Sequence, residues 1–236
     1  MTPAMSTVSL ATLALADSRF PGGGHAHSGG LEEAVHRGTV SGSEQLAEFL
    51  HGRLHGAGAQ AAVFAAAAAH AAARGVPPDH WSLLDAELDA RTPAPAQRAA
   101  SRAQGRGTLR AGRSALPSRA LDELHATTGS PHHPVVVGVL LGAGADRSPA
   151  DTAAAMAYLS ISGPASAAVR LLGLDPFEAN AAVTALRAET ERIAAEAART
   201  AGHRPGSLPA TSSPALDLLA EQHQRHHREE GRLFAS

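Results

Sequence analysis

The chain has 236 residues, with 20 basic side chains against 22 acidic ones and a formal net charge of −2. That length suits one large domain or two small ones, and an apolar content of 44% marks a globular chain rather than a disordered one. Cysteine and lysine are both absent, which excludes disulfides, thiolate nucleophiles, cysteine-bound zinc, Schiff-base catalysis and the phosphate-binding lysine of a P-loop.

The near-zero charge balance argues against whole-protein nucleic-acid binding. No run of 18 strongly apolar residues occurs, and no basic segment followed by an apolar one opens the chain. A soluble cytosolic protein with no membrane partner is expected. Aromatics are only 3% while alanine dominates, which favours closely packed helices over a β-sandwich.

In chain order, residues 1–8 read as a loose tail and 9–16 as a short apolar helix. Pro21 to Gly24 is a turn, and Leu31-Glu32-Glu33 begins a helix. Ser41 with Glu44 has capping-box spacing and predicts a long helix to about residue 73. Gly52, Gly56 and Gly58 each weaken it by up to about 1 kcal/mol relative to alanine. A close helix crossing and a local break account for them equally well. Pro77-Pro78-Asp79 predicts a helix to about Ala90, and Pro93 and Pro95 precede helices at about 96–115 and 117–127. Val135 to Leu141 suits strand or helix by periodicity, and the helical surroundings favour helix. Ser148-Pro149-Ala150-Asp151 and Asp175-Pro176-Phe177-Glu178 are start signals for helices at about 149–172 and 176–199.

Residues 202–213 read as a Gly/Pro/Ser linker, and Ser213-Pro214 opens a last helix to about 230. The expected fold is all-α: a single compact bundle of about nine or ten helices over residues 9–201, then the linker, then a C-terminal helix and tail over 214–236, with mobile ends.

Four features carry candidate chemistry. Ala26-His27-Ser28-Gly29-Gly30 has the outline of a nucleophile elbow, but Pro-Gly-Gly-Gly stands where the strand should be. Among 14 histidines, His25/His27, His51/His55 and His223/His226/His227 have ligand-like spacing. A pair at i and i+4 shares one helix face and can clip a cation such as Zn²⁺ or Ni²⁺, though no acid accompanies any pair in a zincin pattern. Arg98, Arg102, Arg106, Arg110 and Arg113 fall within an arc of about 120° on one predicted helix, with no acid between Asp89 and Asp122. Such a stripe is either a solvated face or a surface for an acidic protein; without aromatic residues it suits nucleic acid poorly. The C-terminus concentrates Arg228, Arg232, Leu233 and Phe234, a charged apolar end that docks on its own domain or anchors a partner.

Several segments together resemble the urease accessory protein F family, in order and spacing from about residue 10 to the end. They are Leu15-Ala16-Asp17-Ser18-Arg19-Phe20-Pro21 with Gly23-Gly24 and Ser28-x-Gly30-Leu31-Glu32, then Ala90 to Pro95 and Ser101-Arg102-Ala103-Gln104-Gly105-Arg106-Gly107. After these come His133-Pro134-Val135-Val136, Ser160-x-Ser162-Gly163, Ala167 to Leu172, Pro214-x-Leu216-Asp217, His226 and Arg232-Leu233-Phe234-x-Ser236. The chain departs from the usual pattern at His25 and His27, where an aromatic is common, and at His227 and Glu230, where Glu and Tyr are common.

The resemblance implies an all-helical, non-enzymatic adaptor. It would bind a D/H-type urease accessory protein and a G-type accessory GTPase, dimerise, and help deliver Ni²⁺ to apo-urease, with no cofactor of its own. Taken with the arginine stripe and the charged apolar C-terminus, it points to Ser28, Glu32, Arg102, Gln104, Arg106, Arg228, Arg232, Leu233 and Phe234 as partner-binding or dimer-supporting residues. On this reading His25, His27, His223 and His227 give at most weak, transient metal contacts. A helical serine hydrolase using Ser28 and a histidine-based nickel store are the competing classes.

Overall fold

Alanine costs almost no side-chain entropy in a helix and lets neighbouring backbones approach closely. The computed structural model describes residues 10–17, 19–22, 27–143 and 148–226. Among these the chain is an all-α bundle with no β-sheet, as its composition predicts. The helices are α1 (Leu10–Ala16), α2 (Leu31–His36), α3 (Ser43–Arg53), α4 (Ala59–Arg74), α5 (Asp79–Ala90), α6 (Pro95–Ala115), α7 (Arg119–Thr128), α8 (His133–Gly142), α9 (Pro149–Leu172), α10 (Pro176–Ala185), α11 (Arg187–Thr200) and α12 (Pro214–His226). Two expected long helices are interrupted, one by a π turn at Leu54–Gly58 and one at Leu186.

The centre is α4, buried on all sides from Ala62 to Ala69 and surrounded by α8, α9 and α11. Helix α8 is buried along its whole length, so the valine run is helical. Valine costs a few tenths of a kcal/mol in a helix, and packing overrides that preference. A β-carbon at Gly138 would collide with Ala65 and Ala68, and one at Gly142 with the backbone of Ala69. In the helix, residues 138 and 142 stand one turn apart on the face that meets α4.

Two local expectations are corrected. Helix α3 begins after an extended Gly42 with no side-chain cap, not at a Ser41 capping box. The buried Val40, whose N–H is bonded to the Ala34 carbonyl, holds the chain extended past Ser41. Of the two explanations for Gly52, Gly56 and Gly58, a close approach does not apply at Gly52, where a β-carbon meets open space. The approach is at Gly56, where one would collide with Ser213. Thr211 Oγ1 donates to the Gly56 carbonyl at 2.9 Å, within the π turn. Residues 202–213 thus lie against the body, with Leu208 buried and the carbonyls of Gly206 and Leu208 accepting from Arg91.

No helix among the described residues is long and apolar enough to cross a membrane. The readings for residues 1–8, His25, His227, Arg228, Arg232, Leu233 and Phe234 lie outside the described residues.

Candidate functional site

The arginine stripe of α6 divides into inward and outward side chains. Arg102 bridges Asp85 at 2.8 Å and Asp89 at 2.7 Å, both on α5, and also donates to the Ser130 carbonyl. Arg98 folds back onto the carbonyls of Thr92 and Pro93, and Arg113 pairs with Asp122 on α7. Arg106 is exposed and donates to Ser130 Oγ, and Arg110 is exposed on the same face. The acids missing from the α6 sequence therefore come from its neighbours.

Arg102 belongs to a half-buried network built on the buried Asp85 and His132. Asp85 Oδ1 accepts the His132 N–H at 2.7 Å, while the His132 ring joins Asp89 at 2.8 Å and Ser101 at 3.0 Å. Burial works against charge on Arg102, but its pairing with Asp89 and Asp85 outweighs that and raises its pKa. Burial likewise disfavours the Asp89 anion, yet hydrogen bonds from His132 and Arg102 hold it below the usual carboxylate range. Removing Arg102 would leave the buried Asp85 carboxylate short of a partner, at a cost of about 1–3 kcal/mol, while the half-exposed Asp89 is compensated by solvent.

Gln104 and His133 line a cleft of about 280 Å³ together with Phe20, Tyr158 and Ser162. Burial pushes the His133 imidazole down to about 3, so it is neutral near pH 7. Close approaches on α6 draw the cleft together. A β-carbon at Gly105 would strike the Pro131–His133 backbone, and one at Gly107 would lie 2.9 Å from the Gly22 carbonyl oxygen. Four of the segments that carry the family resemblance meet here, through Asp17, Phe20 and Gly22, through Gln104, through His133, and through Ser162 and Gly163.

A second device holds the 27–32 turn. Pro164 lies inside α9 and has no N–H for the Ser160 carbonyl four residues back. Arg53 Nε donates to that carbonyl at 2.7 Å, and Arg53 Nη1 donates to the Gly29 carbonyl at 2.6 Å. Burial lowers the Arg53 pKa only to about 10, so the cation persists. Gly29 has φ +63°, and a β-carbon there would strike the Arg53 guanidinium. Ser28 is wholly buried, and its hydroxyl accepts the Glu32 N–H at 3.4 Å at the start of α2. It lacks the exposed hydroxyl that a nucleophile elbow requires.

Helix α12 docks by charge. Glu33 is buried and accepts from Arg37 at 2.8 Å and from His226 at 3.1 Å. Burial disfavours the Glu33 anion, but these two partners outweigh it and lower its pKa. His223 is buried and faces Glu32 at 3.8 Å. Asp217 and Glu221 accept the N–H groups of Ala94 and Ala96, capping an α6 N-terminus that has no side-chain cap of its own. Of the other histidine candidates, His27 is half-buried in a pocket beside His133.

His51 and His55 meet Glu189 of α11. His51 Nε2 lies 3.3 Å from Glu189 Oε2, and His55 Nε2 bonds to the same oxygen. The His55 hydrogen bond, helped by the charges of His51, His55 and Arg192, holds the Glu189 carboxyl below its usual range.

Sequence reading missed Arg53, His132 and Glu189 as organising residues. Two signals were available: Pro164 inside a long helix announces an orphaned carbonyl at Ser160, and Asp85/Asp89 share the i, i+4 spacing of Arg98/Arg102.

The UreF family model matches residues 40–187. The urease accessory protein UreF of Mycolicibacterium vanbaalenii is 45% identical over 229 residues, covering 97% of this chain and 99% of that protein. UreF of Mycobacterium sp. (strain JLS) is also 45% identical, covering 95% and 97%. UreF of Mycobacterium tuberculosis is 42% identical, covering 92% and 94%. With a family match over more than half of its residues and relatives alike over nearly their full length, the chain belongs to the UreF family of urease accessory proteins, non-catalytic components of urease maturation.

Proposed function

We propose that the chain is a cytoplasmic adaptor that works as a homodimer within the urease maturation assembly. It bridges a D/H-type accessory protein and a G-type GTPase, and the assembly inserts nickel into apo-urease in a GTP-dependent step. Nickel is then the cargo of the assembly. The observation that carries this reading is the position of the exposed Arg106 and Arg110 beside the cleft where four family-like segments meet. An arginine surface suits an acidic protein face, because guanidinium groups pair with carboxylates in a fixed two-pronged geometry.

The other site residues take graded roles. Gln104 lines the cleft and contacts the partner there. Arg102 is committed to Asp85 and Asp89 and shapes the face. Ser28 and Glu32 seat α2 against the body and α12. Arg228, Arg232, Leu233 and Phe234 anchor the D/H-type protein.

The test is co-purification of the tagged chain with the D/H-type protein, the GTPase and apo-urease, together with urease activation in cells lacking the native adaptor. Arg106→Glu with Arg110→Glu should leave helical content intact and reduce GTPase capture. Wild-type capture should weaken with added salt as surface charge is screened. Arg102 stays untouched in this variant, since its loss would strand Asp85. Unchanged capture by the variant at low and high salt would remove α6 from the interface. A wild-type chain that captures none of the three proteins would remove the adaptor reading.

A further inference from the structure

His51 lies in the last turn of α3, and His55 stands one turn further on, inside the π turn. Glu189 approaches from the first turn of α11, directed there by the break at Leu186. One ligand atom from each residue lies within 4.8 Å of the other two, and this is the one such trio of histidines and acids among the described residues. The two imidazole rings are 4.5 Å apart, and both Nε2 atoms point to a single carboxylate oxygen. Side-chain exposures of 56%, 34% and 36% leave one flank open to solvent.

We propose that His51, His55 and Glu189 form a binding site for a divalent transition cation of borderline softness, such as zinc(II) or nickel(II). Two imidazoles and one carboxylate suit these ions. Magnesium and calcium prefer oxygen-only shells, and copper(I) prefers sulfur. A tetrahedral cation bound at 2.0–2.2 Å sets its donors about 3.4 Å apart. The partly exposed His51 and Glu189 side chains have room to adjust to that spacing, with Glu189 drawing back from its close contact with His55. Three protein donors leave at least one position to water or to a donor from another molecule, so the bound ion is exchangeable rather than structural. The π turn belongs to the site: it places His55, and its geometry is held from outside by Thr211 and Ser213. The alternative role for these residues is a hydrogen-bonded strut between α3 and α11 that takes no ion.

This site goes beyond the adaptor reading and does not depend on it. It is tested on the isolated full-length chain without a histidine tag, by calorimetric titration with zinc chloride and, separately, nickel chloride at pH 7.5. The variants are His51→Ala, Glu189→Gln and His55→Gln, the last retaining a side-chain hydrogen bond to Glu189 should the strut matter for folding. A triple variant gives the background from the remaining histidines.

The expected result is one equivalent bound by the wild type above that background, weakened about tenfold or more in each single variant, the loss typical of removing even a ligand's supporting partner. Substoichiometric zinc should also shift the Nε2 resonances of His51 and His55 but not those of His36 and His226. A wild type that binds no more tightly than the triple variant overturns the site. So do correctly folded single variants with wild-type affinity.

Discussion

The α4–α8 crossing and the α2–α12 seam solve the same problem, holding two helices together, with opposite chemistry. At the crossing, Gly138 and Gly142 meet Ala65, Ala68 and Ala69. The four-residue steps on the two helices match, and the only polar groups involved are backbone atoms. At the seam, Glu33 takes Arg37 and His226, Glu32 faces His223, and two further α12 carboxylates cap α6. The crossing depends on the absence of side-chain volume and has no means of adjusting. The seam depends on charge and responds to pH and salt. A tightly packed body carrying a polar, charge-held helix suits the adaptor role proposed above.

The largest effect should come from adding volume at the crossing. In Gly142→Val the new β-carbon meets the Ala69 backbone, which no rotamer change relieves. Overpacking of this kind costs about 3 kcal/mol or more, and circular dichroism should show a chain that melts early or fails to fold. Gly52→Ala is the control with the opposite sign. Its β-carbon meets open space, and it should stabilise α3 by about 0.5–1 kcal/mol. Gly142→Val with a wild-type melting curve would break the contrast between crossing and seam.

Acid should act on the body before the seam. The His133 imidazole, at the start of α8, has its folded pKa pushed from 6.5 to about 3. The unfolded chain therefore binds a proton that the folded one refuses. The stabilisation is complete above about pH 6.5 and falls by about 1.4 kcal/mol per pH unit as pH drops through that window. The lowered pKa of His132 acts in the same direction. Glu33 has a folded pKa below its usual 4.5, so its contribution is present above that value and is lost only as pH falls further. Urea midpoints should decline between pH 7 and pH 5, and His133→Gln should flatten part of that slope. A pH-independent midpoint over this range would show that the buried imidazoles do not govern acid sensitivity.

The sequence made the body legible because helix signals are local. Ser148 and Asp175 cap α9 and α10 through their side chains, as their motifs announce. The valine run is helical because it lies in an all-helical context. What escaped depends on partners distant in sequence. Glu189 is 134 residues from His55, and Arg53 is 107 from Ser160. The arginine stripe was correctly placed on one helix, but periodicity cannot tell an arginine facing solvent from one facing Asp85. Residues 202–213 carry a linker's composition, yet Leu208, Thr211 and Ser213 find specific seats against Arg91 and the π turn. Composition reports how easily a segment bends; its docking depends on what it meets.

The smallest effect on stability, and the largest on partner capture, should come from removing residues 227–236. The cut falls after His226 because that ring bonds to the buried Glu33, so a cut two residues earlier would damage the seam as well as the tail. Deleting 227–236 should leave the melting temperature unchanged while abolishing capture of the D/H-type protein and urease activation. The reasoning is chemical. Leu233 and Phe234 each yield about 1.5–3 kcal/mol when fully removed from water, and Arg228 and Arg232 flank them with donors for a partner's carboxylates. Deleting 225–236 should cost up to about 1 kcal/mol more, because the half-exposed His226 forms a screened pair with Glu33. The two truncations together separate anchor from seam. A wild-type melting curve for the 227 cut, with capture lost in both truncations, would assign Arg228, Arg232, Leu233 and Phe234 to the partner. A drop in stability already at the 227 cut would assign them to the body, and full capture by either truncation would place the anchor elsewhere.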